Sequence, residues 1–349
     1  MIEALSIHDF RCFESLKFRP SSGVSFIIGA NAQGKTSILE AICVGARLQS
    51  PRAIGLYEVV RIGQPGMAVD LWTAENHLHL RYEPPKRRLA LNSSEQSGTA
   101  EYLTQIRIAW FSNDDIEIVR GSGSRRRRYL DFVCCQIEPI YLKYLRAYER
   151  ALRARNALLK DGKPRREIEA FDPLVIENGN AITAIRGRVC SLLVPFVQIA
   201  ADEIGASGEL VEMSYESKGE LQAALAASVA DECRLRQTTV GPHRDDILLA
   251  LNHKSAARFA SEGQQRTLAL ALKLAQTRLI MDQLGVVPVL LVDDVFGELD
   301  VARRKNLLRG LPSDAQCLIT TTHLDWMDDD LLQGPVFQLQ QATLTELER

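Results

Sequence analysis

Apolar and polar positions follow three different patterns along the chain: short strand-like runs, helical spacing and strict alternation. The N-terminal stretch reads as strands: Ile2 to Phe10 mixes the two classes around Leu5 and Ile7, and Val24-Ser25-Phe26-Ile27-Ile28 is an apolar run that stops at Gly29. From Ser37 onward the spacing is helical. Between residues 67 and 92 it becomes period two, through Val69 and Leu71, then His77 to Tyr82, then Arg88 to Leu91. With Glu83-Pro84-Pro85 as a break, this predicts an antiparallel meander. From about Arg120 to Arg236 the pattern is helical again, with long stretches at Tyr141 to Leu159 and Ile182 to Ile204. A strand at Ile247 to Leu251 follows, then a helix from Glu262 to Leu284 and a buried strand at Val287 to Val292. A helix at Val301 to Leu308 and a strand at Gln316 to Thr321 complete the series.

The order predicts an α/β head in two halves, residues 1–119 and 237–349, flanking a helical arm at 120–236. Composition agrees with a packed core: 349 residues, 46% hydrophobic and 25% charged. The apolar run Val286 to Val292 is too short to span a bilayer, and MIEALSIHDFRCF has no secretory pattern. Seven cysteines, odd in number and without a C-x-x-C pair, predict reduced thiols. The expectation is a cytoplasmic protein with no membrane partner.

Gly29-Ala30-Asn31-Ala32-Gln33-Gly34-Lys35-Thr36 matches G-x-x-x-x-G-K-[ST], with a strand before it and a helix after it. Glycines let backbone amides approach phosphate, and the helix directs its positive end there. Together with Ser37, these residues predict an ATP site in which Lys35 reaches the β- and γ-phosphates and Thr36 binds Mg²⁺. The apolar strand Val289-Leu290-Leu291-Val292 ends in Asp293-Asp294. Asp293 is the partner expected for Mg²⁺, and Asp294 the base beside the γ-phosphate, so Lys35 and Asp294 are the catalytic pair. Ser261-Glu262-Gly263-Gln264-Gln265-Arg266 opens the helix before that strand. Ser261 is also an ordinary N-cap.

That order resembles the ATP-binding-cassette ATPases. In that class the serine-glycine signature of one head covers the γ-phosphate held by another, which gives Ser261, Gly263 and Gln264 an ATP contact and predicts an ATP-dependent homodimer. Asp300 takes the D-loop place and Asp294 the usual glutamate place; aspartate is one methylene shorter, which predicts slow hydrolysis. Ile7-His8-Asp9-Phe10-Arg11-Cys12-Phe13 resembles the SMC-like branch. Four segments together resemble the RecF family of bacterial recombination mediators. They are Gly29 to Thr36; Phe111-Ser112 with Arg125 to Asp131; Val240 to Asp246; and Ser261 to Thr267 with Asp293 to Asp300. Only about 225 residues separate Thr36 from Ser261, so the arm is short. The fold implied is an ABC/SMC-like P-loop ATPase head with a mixed sheet and antiparallel meander, plus a helical arm insertion without long coiled coil.

Gln64 and Gln105 are equal candidates for the class's Q-loop glutamine. His323 stands where its switch histidine would be. Gly241 to Asp246 reads as a structured turn near the dimer face, with a His-Asp-Asp metal site as the alternative.

A net charge of -2 argues at first against a polyanion partner. Residues 119–170, however, hold 14 Lys/Arg against 6 Asp/Glu, a balance of +8, which leaves -10 on the other 297. This predicts contact with a phosphate backbone through Arg125, Arg126, Arg127, Arg128, Arg153, Arg155, Arg165 and Arg166. The resemblance implies double-stranded DNA and ss/dsDNA junctions as partners, and RecR, with RecO and RecA, as proteins acting beside it. The competing readings are the ATPase subunit of a membrane transporter and a small-molecule kinase. Neither needs the basic arm, and the kinase leaves Ser261 and the carboxylate pair without a joint role.

Overall fold

In a computed structural model the structure describes residues 1–205, 208–324 and 334–347. The chain divides into two compact units, one of Met1–Asp114, Glu203–Gly205 and Ile280–Arg349, the other of Asp115–Asp202 and Ala206–Leu279.

The first unit carries two six-stranded sheets. One is antiparallel, with β1 (Ala4–Phe10), β2 (Phe13–Phe18), β4 (Met67–Trp72), β5 (His77–Glu83), β6 (Lys86–Leu91) and β7 (Ser94–Glu95) in the order β2-β1-β4-β5-β6-β7. Its alternation is the reason it forms: Leu5, Ile7, Val69, Leu71, Leu78, Leu80, Leu89 and Leu91 are all buried. On the opposite face the Asp70 carboxylate meets His77 Nε2 at 2.7 Å and His79 Nδ1 at 2.8 Å. The other sheet is mixed, with β3 (Val24–Ile28), β8 (Ile108–Ser112), β12 (Val289–Asp293), β13 (Cys317–Thr321), β14 (Val336–Gln340) and β15 (Thr343–Leu347) in the order β15-β14-β3-β13-β12-β8. Its central strands are parallel and nearly wholly buried, as continuous apolar runs require. Helices α1 (Lys35–Arg47), α2 (Ala100–Thr104) and α12 (Val301–Gly310) belong to this unit.

The second unit is mainly helical: α3 (Ile116–Arg120), α4 (Gly123–Ile137), α5 (Tyr141–Lys160), α6 (Arg165–Glu169), α7 (Asp172–Ile204) up to Asp202, α8 (Leu221–Ala227), α9 (Val229–Leu235), α10 (Ala256–Phe259) and α11 (Glu262–Leu284) up to Leu279. It also holds a three-stranded sheet in the order β11 (Lys254–Ser255), β10 (Asp246–Leu251), β9 (Val211–Glu216). By length and composition alone α7 could cross a membrane, yet Val175, Ile182, Val189, Leu193 and Val197 are buried.

Two expectations change. Residues 237–279 group with the helical unit, not with the head, because β10 pairs along its whole length with β9. Strand β9 itself lies inside the stretch read as helical; its register is set by partners 30 to 40 residues away, which a local period does not reveal. The mixed sheet also gains the C-terminal hairpin β14–β15, whose mostly exposed outer strand gave no burial signal.

Candidate functional site

The phosphate loop runs from the end of β3 into α1. Gly34 is in the left-handed region at φ 104, and a Cβ there would come within 2.6 Å of Cys12 Sγ and 2.9 Å of Phe13 Cζ. A Cβ at Gly29 would sit 2.5 Å from the carbonyl oxygen of Leu339. Both positions therefore require glycine. The first turn of α1 has no acid and no side-chain cap, which leaves its positive end to an anion. Lys35 Nζ donates to the carbonyl oxygens of Gly29 and Ala30 at 2.6 and 3.0 Å, so the ammonium lies on the loop. Burial lowers its pKa, opposed by the charges of Asp294 and Asp293.

Strand β12, flanked by β8 and β13, delivers the carboxylates to the same place. Thr36 Oγ1 donates to Asp293 Oδ1 at 2.7 Å, and Thr320 Oγ1 to the same oxygen at 2.8 Å. Burial raises the Asp293 pKa above its ordinary value, against these two hydrogen bonds. The pair offers a hydroxyl and a carboxylate, hard oxygen donors that fit Mg²⁺. Asp294 is left-handed at φ 53, a conformation a non-glycine residue keeps only when held. Its N–H donates to Thr320 O and Oγ1, both at 3.1 Å, and its carbonyl accepts from Asn113 Nδ2 at 2.9 Å. Burial raises its pKa too, opposed chiefly by Lys35.

Lys35, Thr36, Asp293 and Asp294 line one cavity of about 530 Å³, together with Asn31, Ala32, Gly34 and Ser37. The size suits a nucleotide. Its other wall was not legible in sequence: Arg11 donates to the buried Glu40 at 2.8 and 2.7 Å and to the Glu58 carbonyl at 2.9 Å, with Arg52 beside them. Gln33 Oε1 accepts from the backbone N–H of Gln341 at 2.9 Å, which ties the loop to the turn of the C-terminal hairpin.

Ser261, Gly263 and Gln264 belong to the second unit, at the start of α11. Ser261 N–H donates to Gln264 Oε1 at 2.7 Å and Gln264 N–H to Ser261 Oγ at 3.3 Å, a reciprocal capping box. Asp300 caps α12 through the Arg303 N–H at 2.8 Å. Gln105 is engaged by Glu101 and Asn76, and Gln64 sits in a surface turn, whereas Asn113 reaches the carboxylate strand. His323 Nδ1 lies 2.7 Å from Thr322 Oγ1.

The segment Gly241–Asp246 is a braced turn. Tyr148 OH donates to His243 Nδ1 at 2.6 Å, while His243 Nε2 faces the Thr238 carbonyl at 3.1 Å. Burial lowers the His243 pKa to about 4. Tyr215 OH donates to Asp245, and Arg126 donates to both oxygens of Asp246 at 2.7 and 2.8 Å. Among the described residues no such group could hold a metal ion, so the His-Asp-Asp alternative falls.

The eight arginines expected on DNA do not form one surface. Arg125, Arg128, Arg153 and Arg166 are exposed. Arg127 donates to the Asp245 carbonyl at 2.7 Å and, with Arg126, braces the turn. Arg165 is held by Glu169 at 2.8 Å and Glu232 at 3.4 Å. Arg155 is the clearest correction. It is fully buried, donating to Glu232 through two nitrogens at 2.8 Å and to Asp172 at 2.8 Å, so it is no DNA contact. Two residues along an α-helix turn through about 200°, which sets Arg153 and Arg155 on opposite faces.

Residues 4–53 match the family described as AAA domain. The chain is 36% identical to the DNA replication and repair protein RecF of Thermosynechococcus vestitus, covering 93% of this chain and 91% of that one. It is 34% identical to the protein of the same name from Rippkaea orientalis, over 95% and 96%. A solved structure of the recombination mediator protein RecF with ATP, in the RecFOR pathway, superposes with a TM-score of 0.88 at 30% identity, covering 99% of this chain and 97% of that one. An SMC head bound to the C-terminal winged-helix domain of ScpA shares the fold, with a TM-score of 0.55 at 14% identity and coverage of 99% and 96%.

Proposed function

We infer that this chain, which belongs to the RecF family of DNA replication and repair proteins, is an ATP-dependent DNA-binding recombination mediator and a slow ATPase. The observation that carries the reading is the convergence of Lys35, Thr36, Asp293 and Asp294 on one cavity, with Thr36 and Asp293 in hydrogen-bond contact. The loop amides and Lys35 bind the phosphates of ATP. Thr36 and Asp293 would hold Mg²⁺, which would neutralise charge on the phosphate oxygens. Asp294 orients the attacking water and accepts its proton, and its raised pKa suits that task. Its short side chain keeps turnover slow, which suits a switch.

The signature start of α11 presents an exposed Ser261, which supports a second role for the cap: covering the γ-phosphate of another protomer. ATP then joins two protomers, the dimer holds duplex DNA at gaps and ss/dsDNA junctions, and hydrolysis releases it. Arg125, Arg128, Arg153 and Arg166 remain as surface cations for the DNA. With RecR and RecO, the cytoplasmic protein helps load RecA onto single strands. The test is equilibrium binding to a mixed-sequence duplex with and without ATP. Tight binding only with ATP supports the reading; binding indifferent to ATP, or none, contradicts it.

A further inference from the structure

The outward cations of α5 fall on one line. Lys143, Arg150, Arg153 and Lys160, all exposed, are seven, three and seven residues apart, with the half-buried Arg146 between the first two, intervals that keep side chains on one face of an α-helix. At 1.5 Å per residue the row is about 25 Å long. The opposite face is the buried one, with Tyr148, Ala151, Arg155 and Leu159. Arg155 fixes the helix about its own axis, because its guanidinium is clamped by Glu232 and Asp172 inside the unit. The charged face is therefore held outward. Glu149 is the sole acid in the α5 sequence. Tyr141 and Tyr148 are buried, and the half-buried Tyr144 is turned by about 100° from Lys143 toward the phase of Ala151 and Arg155, so the row itself carries no aromatic ring.

We propose that this row is a rail for the phosphate backbone of duplex DNA. The proposal rests on the reading that the protein binds duplex DNA, and assigns the surface that does so. Charge complementarity selects the occupant: duplex DNA carries one negative charge per about 1.7 Å of axis, so a run of this length faces more phosphates than the rail has cations. Single strands are gripped by stacking on aromatic rings, which the row lacks. A membrane surface calls for an apolar face beside the cations, and here that face is buried in the unit. Backbone contact alone reads no sequence.

The test uses the full chain with ATP and a mixed-sequence duplex longer than the rail, titrated over a range of salt. The triple variant Lys143→Gln, Arg150→Gln, Arg153→Gln should lower the slope of log affinity against log salt by about 2.7. Referred to 1 M salt, that slope change corresponds at 0.1 M to an affinity loss of roughly 500-fold. A control triple at exposed cations elsewhere in the same unit, Lys218→Gln, Arg234→Gln and Lys254→Gln, should bind as wild type. Circular dichroism and thermal unfolding of both variants should match wild type. If wild type binds duplex and the rail variant keeps its affinity and slope, the rail is wrong while the DNA reading stands. Equal loss in the control triple also overturns the rail. A single strand bound as tightly, and weakened as much, overturns duplex as the occupant. Wild type that binds no duplex overturns the DNA reading itself.

Discussion

Asn113 donates a hydrogen bond to the backbone carbonyl of Asp294 at 2.9 Å, from just past the end of β8 to the residue after β12. With Thr320 it holds Asp294 in the left-handed region and aims the carboxylate at the cavity that contains Lys35. Asn113→Ala removes one such bond, about 1 kcal/mol. ATP turnover is expected to fall roughly fivefold with ATP affinity unchanged, since each 1.36 kcal/mol is a factor of ten in rate. Asp294→Asn should cost about 10²–10⁴-fold in turnover and likewise spare binding. Parallel measurement of turnover and ATP dissociation constants checks both; a loss confined to affinity would remove Asn113 from this role.

This contact marks the limit of what the sequence discloses. Lys35, Thr36 and Asp293 were legible because local geometry dictates their motifs: a strand, a glycine turn, a helix, and a buried strand that ends in acids. The same holds for the meander, where period two is the direct imprint of burial. Asn113, Arg11 with Glu40, and the tie from Gln341 to Gln33 join segments far apart in the chain, and no spacing announces them. Arg155, read together with Arg153, fails differently. Both add to a local charge sum, and only the helical phase separates a surface cation from a buried clamp.

That clamp carries a stability prediction. Arg155→Met strands the fully buried Glu232 carboxylate without its bidentate partner, and removing one member of a buried ion pair costs about 3–5 kcal/mol. Arg153→Ala, at the surface, should change stability by less than about 0.5 kcal/mol. Urea denaturation of the two variants provides the comparison. Equal, small effects would mean that Arg155 is not the anchor of α5.

The Asp70–His79 contact predicts a pH dependence. The hydrogen bond that His79 donates to Asp70 raises the His79 pKa, against burial. For Asp70, burial pushes the pKa up, and the hydrogen bonds from His79 and His77 outweigh it, leaving it lowered. A histidine raised in the folded state contributes stability that is complete below about pH 6.5 and is lost as pH rises through the folded value. The lowered carboxyl contributes above its unfolded value, about 3.9, and is lost as pH falls through the folded one. Thermal unfolding of His79→Gln should therefore show a shallower loss of stability than wild type above pH 6.5. Superimposable profiles would exclude the contact as a source of pH dependence.

The capping box and the proposed contact in trans at Ser261 are separable. Ser261→Ala removes the side-chain cap and should cost about 1 kcal/mol. Ser261→Arg adds bulk and charge where a second protomer's γ-phosphate would sit, so it should abolish ATP-driven dimerisation while monomer ATP binding persists. Retention of the dimer in Ser261→Arg would leave the motif as a helix cap alone.

The central claim is that ATP held by Lys35, Thr36 and Asp293 joins two protomers, and sedimentation tests it most directly. Wild type should sediment as a monomer without nucleotide and as a dimer with ATP, while Lys35→Arg should remain monomeric with ATP at the same concentration. A wild-type protein whose sedimentation ignores ATP, or a Lys35→Arg variant that dimerises with it, would contradict the account.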